Sequence, residues 1–166
     1  LQKDDQGVVL PAGALSDHAS EPGMVLLPDG RLFMTMRTRT GNAWYSVSTD
    51  DGESWSTPEV LRYKDQSEPV KHPLAPCPVY TLPDGRFIML FFNNSYYADH
   101  IRKNEPLPAG MSVFTHRRPA YIAVGRFKED AHQPVWFDEP IELLDNDGVI
   151  VSPKASNEIA TYTSMT

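Results

Sequence analysis

The sequence predicts an all-β protein built from four-stranded antiparallel units. Three observations carry that prediction. First, the 166 residues include 15 Pro and 10 Gly, and proline ends or kinks a helix. Second, no stretch repeats apolar residues at i, i+3, i+4 and i+7, whereas short apolar runs bounded by turn chemistry recur throughout. Third, the chain repeats itself. Leu27-Pro28-Asp29-Gly30-Arg31-Leu32-Phe33-Met34 is matched 55 residues later by Leu82-Pro83-Asp84-Gly85-Arg86-Phe87-Ile88-Met89. A repeat of this length, each copy supplying four strands, points to a β-propeller; a two-sheet sandwich is the alternative.

The elements follow in order. Met24–Leu27 and Leu32–Met36 flank Pro28-Asp29-Gly30. Proline presets φ and glycine accepts positive φ, so the two runs form a tight hairpin. Ala43–Ser48 is the third strand, and Thr57–Leu61, with Pro58, suits an edge. The second unit repeats the scheme with Val79–Leu82, Arg86–Phe92, Tyr121–Phe127 and Ile141–Leu144. The expected organisation of 1–166 is a partial propeller: one blade over 21–61, a second over 76–144, and the start of another over 157–166. Residues 94–115, with Pro106, Pro108 and Gly110, are expected to form an inserted loop between strands two and three of the second blade.

Composition limits the functional classes. The net charge is −7, which argues against nucleic acid as partner, since phosphate recognition needs clustered Lys and Arg. No apolar run approaches the ~18 residues of a membrane-spanning helix, and residues 1–20 show no signal-peptide core. Cys77 is the one cysteine, expected as a buried thiol without disulfide or multi-Cys zinc roles. His18, His72, His100, His116 and His132 show no metal-ligand spacing, so no metal site is expected. Asn93-Asn94 and Tyr96-Tyr97 suit either a sugar pocket or a loop anchored by packed tyrosines.

The most specific motif is Ser48-Thr49-Asp50-Asp51-Gly52-Glu53-Ser54-Trp55. It fits S-x-D-x-G-x-x-W, the Asp box, a turn between third and fourth strands. Asp50 bonds nearby backbone N–H groups, Gly52 gives conformational freedom, and Trp55 packs under the turn. The box marks a blade and carries no chemistry.

With Glu21-Pro22-Gly23 leading into Leu27-Pro28-Asp29-Gly30-Arg31-Leu32, Arg37 sixteen residues after Glu21, the Asp box (BNR repeat), Arg117-Arg118-Pro119 and Glu158–Met165, the chain resembles the sialidase (neuraminidase) superfamily of six-bladed propellers. In particular, it is similar to bacterial exo-α-sialidase-like proteins. The resemblance implies a retaining exo-glycoside hydrolase that removes terminal sialic acid, or a related acidic sugar, from glycoconjugates. It implies Tyr162, within Tyr162-Thr163-Ser164-Met165, as nucleophile and Glu21 as the base that activates it. Arg37, with Arg117 or Arg118, would hold the substrate carboxylate. Strand parity favours Arg117 if Ile122 and Val124 face the core. The residue types suit the chemistry. A neutral Tyr hydroxyl avoids the repulsion a carboxylate nucleophile meets beside the sugar's own carboxylate, so sialidases depart from the two-carboxylate scheme. With a free pKa of ~10, Tyr needs a neighbouring base. Guanidinium groups match a carboxylate in bidentate fashion. No cofactor is implied, and the expected partner is a glycan or sialoside.

The sequence also departs from the family. Its first arginine and acid/base Asp precede the Glu by whole blades, and Asp17 stands only four residues ahead of Glu21. The expectation is therefore a segment whose remaining blades come from a longer chain or from other chains. The alternative function is a non-catalytic Asp-box propeller that binds carbohydrate or protein.

Overall fold

The computed structural model describes two short strands near the start of the chain, residues 19–108 and 116–149, and residues 158–159. In chain order the strands are β1 (Gln2–Lys3), β2 (Val9–Leu10), β3 (Ser20–Leu26), β4 (Leu32–Arg37), β5 (Trp44–Ser48), β6 (Glu59–Val60), β7 (Val79–Thr81) and β8 (Phe87–Phe91). Helix α1 (Tyr96–Lys103) follows, then β9 (Ala120–Phe127), β10 (Val135–Phe137) and β11 (Ile141–Leu144). The protein is all-β apart from this one described helix. β3-β4-β5-β6 form one antiparallel sheet, and β7-β8-β9 with β10 and β11 form a second.

The sequence repeat is a repeat of hydrogen bonds. In the first hairpin Leu27 N–H donates to Arg31 O (2.8 Å) and Gly30 N–H to Leu27 O (3.0 Å); in the second Leu82 donates to Arg86 O (2.8 Å) and Gly85 to Leu82 O (2.9 Å). Asp29 and Asp84 each accept from the backbone N–H and Nε of the arginine two residues on. Gly30 and Gly85 take φ near +88° and +82°, which an L side chain resists. At the β5–β6 turn, Asp50 accepts from the Ser54 N–H (2.8 Å), the Ser54 hydroxyl (2.5 Å) and the Ser48 hydroxyl (2.8 Å). The Ser54 hydroxyl is the main reason its carboxyl is held below the usual range. Trp55 donates to Gly52 O (3.2 Å).

The core lies between the sheets. Val25, Phe33 and Tyr45 meet Val79, Phe87, Met89, Ala123, Val135 and Phe137. Full burial of a side chain such as Phe33 or Phe87 stabilises by roughly 1.5–3 kcal/mol. The first strands of the two sheets, β3 and β7, are neighbours. Gly23 makes room there, since a Cβ would lie 3.0 Å from Pro78 Cα. The Thr35 hydroxyl bonds Cys77 O across the seam (2.6 Å). Cys77 is buried, and burial pushes its thiol up to about 12.

Three expectations change in detail. The fourth strand of the second sheet has two pieces, β10 and β11, paired to successive stretches of β9. Asp138-Glu139-Pro140 interrupts it, and Pro140 has no N–H to give a ladder. Ala123 and Gly125, with Ala120, are the buried residues of β9, and Ile122 and Val124 are only partly buried, so the parity premise is reversed. The insertion expected as a loop contains α1, which docks on the β4–β5 connection. Arg102 donates to Thr40 O (2.5 Å), and Ala98 packs over Gly41, whose added Cβ would meet it at 2.5 Å.

Candidate functional site

Strand register sorts the molecule into two ends. Leu26 pairs with Leu32, Leu32 with Ser48, and Thr81 with Phe87, so the Asp-box and Pro-Asp-Gly turns share one end. Ser20 pairs with Arg37 and Phe91 with Tyr121. The other end therefore gathers Glu21, Arg37, the 38–43 connection, α1, and the segment leading into β9.

Glu21 sits inside a register irregularity between Ser20 and Gly23, with φ +51°. A bulge re-aims a side chain, and a non-glycine residue held in the left-handed region costs roughly 1–3 kcal/mol, an expense that clusters at functional sites. The re-aimed carboxylate lies 2.8 Å from Arg37 Nη1. Arg37 Nε donates to the Ser20 hydroxyl at 2.9 Å, so bulge and strand partner fix the guanidinium together.

Arg117 is buried. Its Nε and Nη2 both donate to Leu74 O, at 3.2 and 2.9 Å, and its Nη1 lies 3.5 Å from Glu158. Burial raises the Glu158 carboxyl, and Arg117 partly opposes the rise. Arg118 turns elsewhere, with a bidentate pair to Asp145 at 2.9 and 2.5 Å. Arg39, two residues beyond β4, has a buried Nε without a hydrogen-bond acceptor among the described residues. His72 is fully buried and close enough to Arg37 and Arg117 for both charges to act on it. Burial is the main cause that takes its pKa down to about 4, so it is neutral at physiological pH.

Two of the residues expected at the site, Glu21 and Arg37, are therefore in contact. Arg117 stands beside His72 on the same side, and Arg118 is occupied by Asp145. Tyr162 lies outside the described residues. His72 and Glu158 received no role from sequence reasoning. A histidine before a proline carries no signal of burial, and Glu158 was legible only as part of a segment. Of the two roles open to Asn93-Asn94 and Tyr96-Tyr97, sugar pocket or anchored loop, the internal contacts match the loop. Asn94 donates to His116 O and Arg118 O, and Asn93 accepts from Tyr63. Tyr96 stands edge-on to His116, and Tyr97 packs beside Ala98. Among the described residues no three His, Cys, Asp or Glu side chains converge as metal ligands. No described helix is long and apolar enough to cross a membrane.

None of the curated proteins matches this sequence. A crystal structure of a protein of unknown function from Dyadobacter fermentans DSM 18053 aligns at 17% identity and a TM-score of 0.36 over 80% of this chain. The chain spans 42% of the length of that protein's chain. A family profile, the BNR repeat-like domain, matches residues 3–160. That is nearly the entire chain, and it includes both sheets and the Asp box: the protein belongs to the BNR repeat-like family.

Proposed function

We propose that this chain carries the carboxylate-binding half of a sialidase-like exo-glycoside hydrolase, acting on terminal sialic acid or a related acidic sugar. The observation that carries the reading is the Glu21–Arg37 contact of 2.8 Å, built on a strained Glu21 at the end of the sheets where Arg117 is also buried. Arg37 and Arg117 would hold the substrate carboxylate, with the spare Nε of Arg39 as a further donor. Tyr162 would attack the anomeric carbon to form a glycosyl–enzyme bond, and Glu21 would take its proton. An Asp supplied by the remaining blades, from a longer chain or from other chains, would protonate the leaving oxygen. Water would then cleave the intermediate with net retention.

A second reading has its own observation. Each expected arginine already has an internal acceptor: Glu21 for Arg37, Leu74 O and Glu158 for Arg117, and Asp145 for Arg118. That favours a non-catalytic Asp-box module that binds carbohydrate or protein.

Turnover of a fluorogenic α-sialoside by the full-length natural polypeptide separates the two. Hydrolysis should be present, should vanish in Tyr162→Phe, and should fall by about 10²–10⁴ in Glu21→Gln, the usual worth of a general base. Absent turnover with retained sugar binding favours the module; undiminished turnover in Tyr162→Phe rejects the nucleophile.

A further inference from the structure

Among the described residues, His72 is a fully buried ionisable side chain at this end of the molecule that the proposed mechanism does not use. Its backbone N–H donates to Gly41 O of the first sheet's connection (2.9 Å). Its ring lies on Phe92, with centroids 6.0 Å apart and planes 18° from parallel. Both ring nitrogens are engaged. Nδ1 accepts the Phe92 N–H at 3.3 Å, and Nε2 lies 2.7 Å from Ala75 O. A carbonyl can only accept, and an N–H can only donate, so these partners dictate a neutral imidazole protonated on Nε2.

The bond to Ala75 has a consequence one residue away. Leu74 O is the acceptor for two N–H groups of Arg117, and a guanidinium is a rigid fork whose direction follows its acceptors. Residues 73–76 include two prolines and pair with no strand. Their tethers include the Ala75 N–H to Pro73 O bond (2.7 Å) and the imidazole. We propose that His72 is a positioning residue. Through its Nε2–H bond to Ala75 O it holds the Leu74 carbonyl, and so the Arg117 fork, in the orientation that meets an anionic ligand. A neutral ring suits this place because a third cation beside Arg37 and Arg117 would repel both. The inference rests on the carboxylate-binding reading above, but the orienting step is separable from it.

The side chains of Gln and Asn sort the two ring contacts. The amide nitrogen of Gln reaches the Nε2 position and restores the donor to Ala75 O. Asn offers an acceptor near Nδ1 but no donor to Ala75. In the full-length natural polypeptide, His72→Asn should raise KM for an α-sialoside about tenfold with kcat unchanged. Loss of a contact made equally in ground and transition states has that signature. His72→Gln should bring KM back toward wild type. A fall in kcat with unchanged KM in both variants is mere loss of folded enzyme and overturns the proposal. Two measurements need no turnover. Nitrogen-15 spectra of the wild-type protein should show the His72 ring protonated on Nε2 alone; protonation on Nδ1 overturns the proposal even if no variant folds. The Arg117 Nε–H should exchange with solvent at least tenfold faster in His72→Asn than in wild type; equal exchange also overturns it. If wild type turns over no sialoside while both spectroscopic results hold, the orienting role stands and the sialidase reading falls.

Discussion

Glu21 holds the most informative backbone angle in the chain. Its φ of +51° suits glycine and strains any L residue, yet a glutamate stands there and reaches Arg37. The ion pair does not repay the strain, because both side chains keep partial solvent contact and such pairs contribute about 0–1 kcal/mol. Comparing two variants isolates the strain, since both delete the carboxylate. Glu21→Gly should be more stable than Glu21→Ala by about 1 kcal/mol, the left-handed penalty that alanine keeps and glycine lacks. Urea denaturation reads the difference, and alanine as the more stable variant would deny that the site is strained. The glutamate–arginine pair was legible because strand pairing converts a sixteen-residue spacing into adjacency across a hairpin. The left-handed angle was not legible: a bulge depends on the partner strand, and no local residue type announces it. His72 was illegible for a similar reason. Its neighbours come from Gly41, Ala75 and Phe92, which are distant in sequence or joined through a loop.

At the scale of elements, turns were read more faithfully than edges. The Pro-Asp-Gly hairpins and the Asp box hold their hydrogen bonds within a few residues, so sequence alone specifies them. The short β6 and the broken β10–β11 edge depend on what lies across the sheet. Helix α1 escaped notice because eight residues between turn-formers give little periodicity, and tertiary contacts with Gly41 and Thr40 hold it. The outer seam between the sheets is another non-local device. His132 Nε2 lies 2.7 Å from Glu59 on β6, while Asp65 accepts from the backbone N–H groups of His132 and Gln133 (3.0 and 2.9 Å). The hydrogen bond to Glu59, then its charge, raises the His132 pKa above 6.5. A raised folded pKa gives stability that is fully present below 6.5 and lost as pH rises through the folded value. The imidazole is largely exposed, so solvent screens the pair and the effect is small. The urea midpoint of the wild-type protein should therefore decline slightly as pH climbs above 6.5, and His132→Ala should flatten that decline. Identical pH profiles would remove the pair from the seam.

At the scale of the whole molecule, one arrangement serves two purposes. Packing β3 beside β7 places both sheets with their Asp-box and Pro-Asp-Gly turns at one end and their charged connections at the other. The first end is closed by local hydrogen bonds that any turn of this kind makes. The second gathers Arg37, Arg39, Arg117, Glu21 and Glu158 from segments far apart in sequence. Fold class was legible because the repeat states it twice. The charged cluster was legible only where two of its members share a hairpin; Arg117 lies at the same end, although the parity premise used for it is reversed. Met24 and Leu26 stand exposed on β3, and Ile141, Leu143 and Leu144 on β11. Under the proposal, further blades would pack against these strands.

The central claim is that the charged end recognises a sugar through its carboxylate. Calorimetric titration of the full-length natural polypeptide with N-acetylneuraminic acid and with its methyl ester tests it most directly. Esterification removes the negative charge and leaves the rest of the sugar in place. The acid should bind at least tenfold more tightly, since hydrogen bonds between charged partners contribute about 1.5–3 kcal/mol. Equal affinity for acid and ester would contradict the account and leave the arginines as structural partners of Glu21, Glu158 and Asp145.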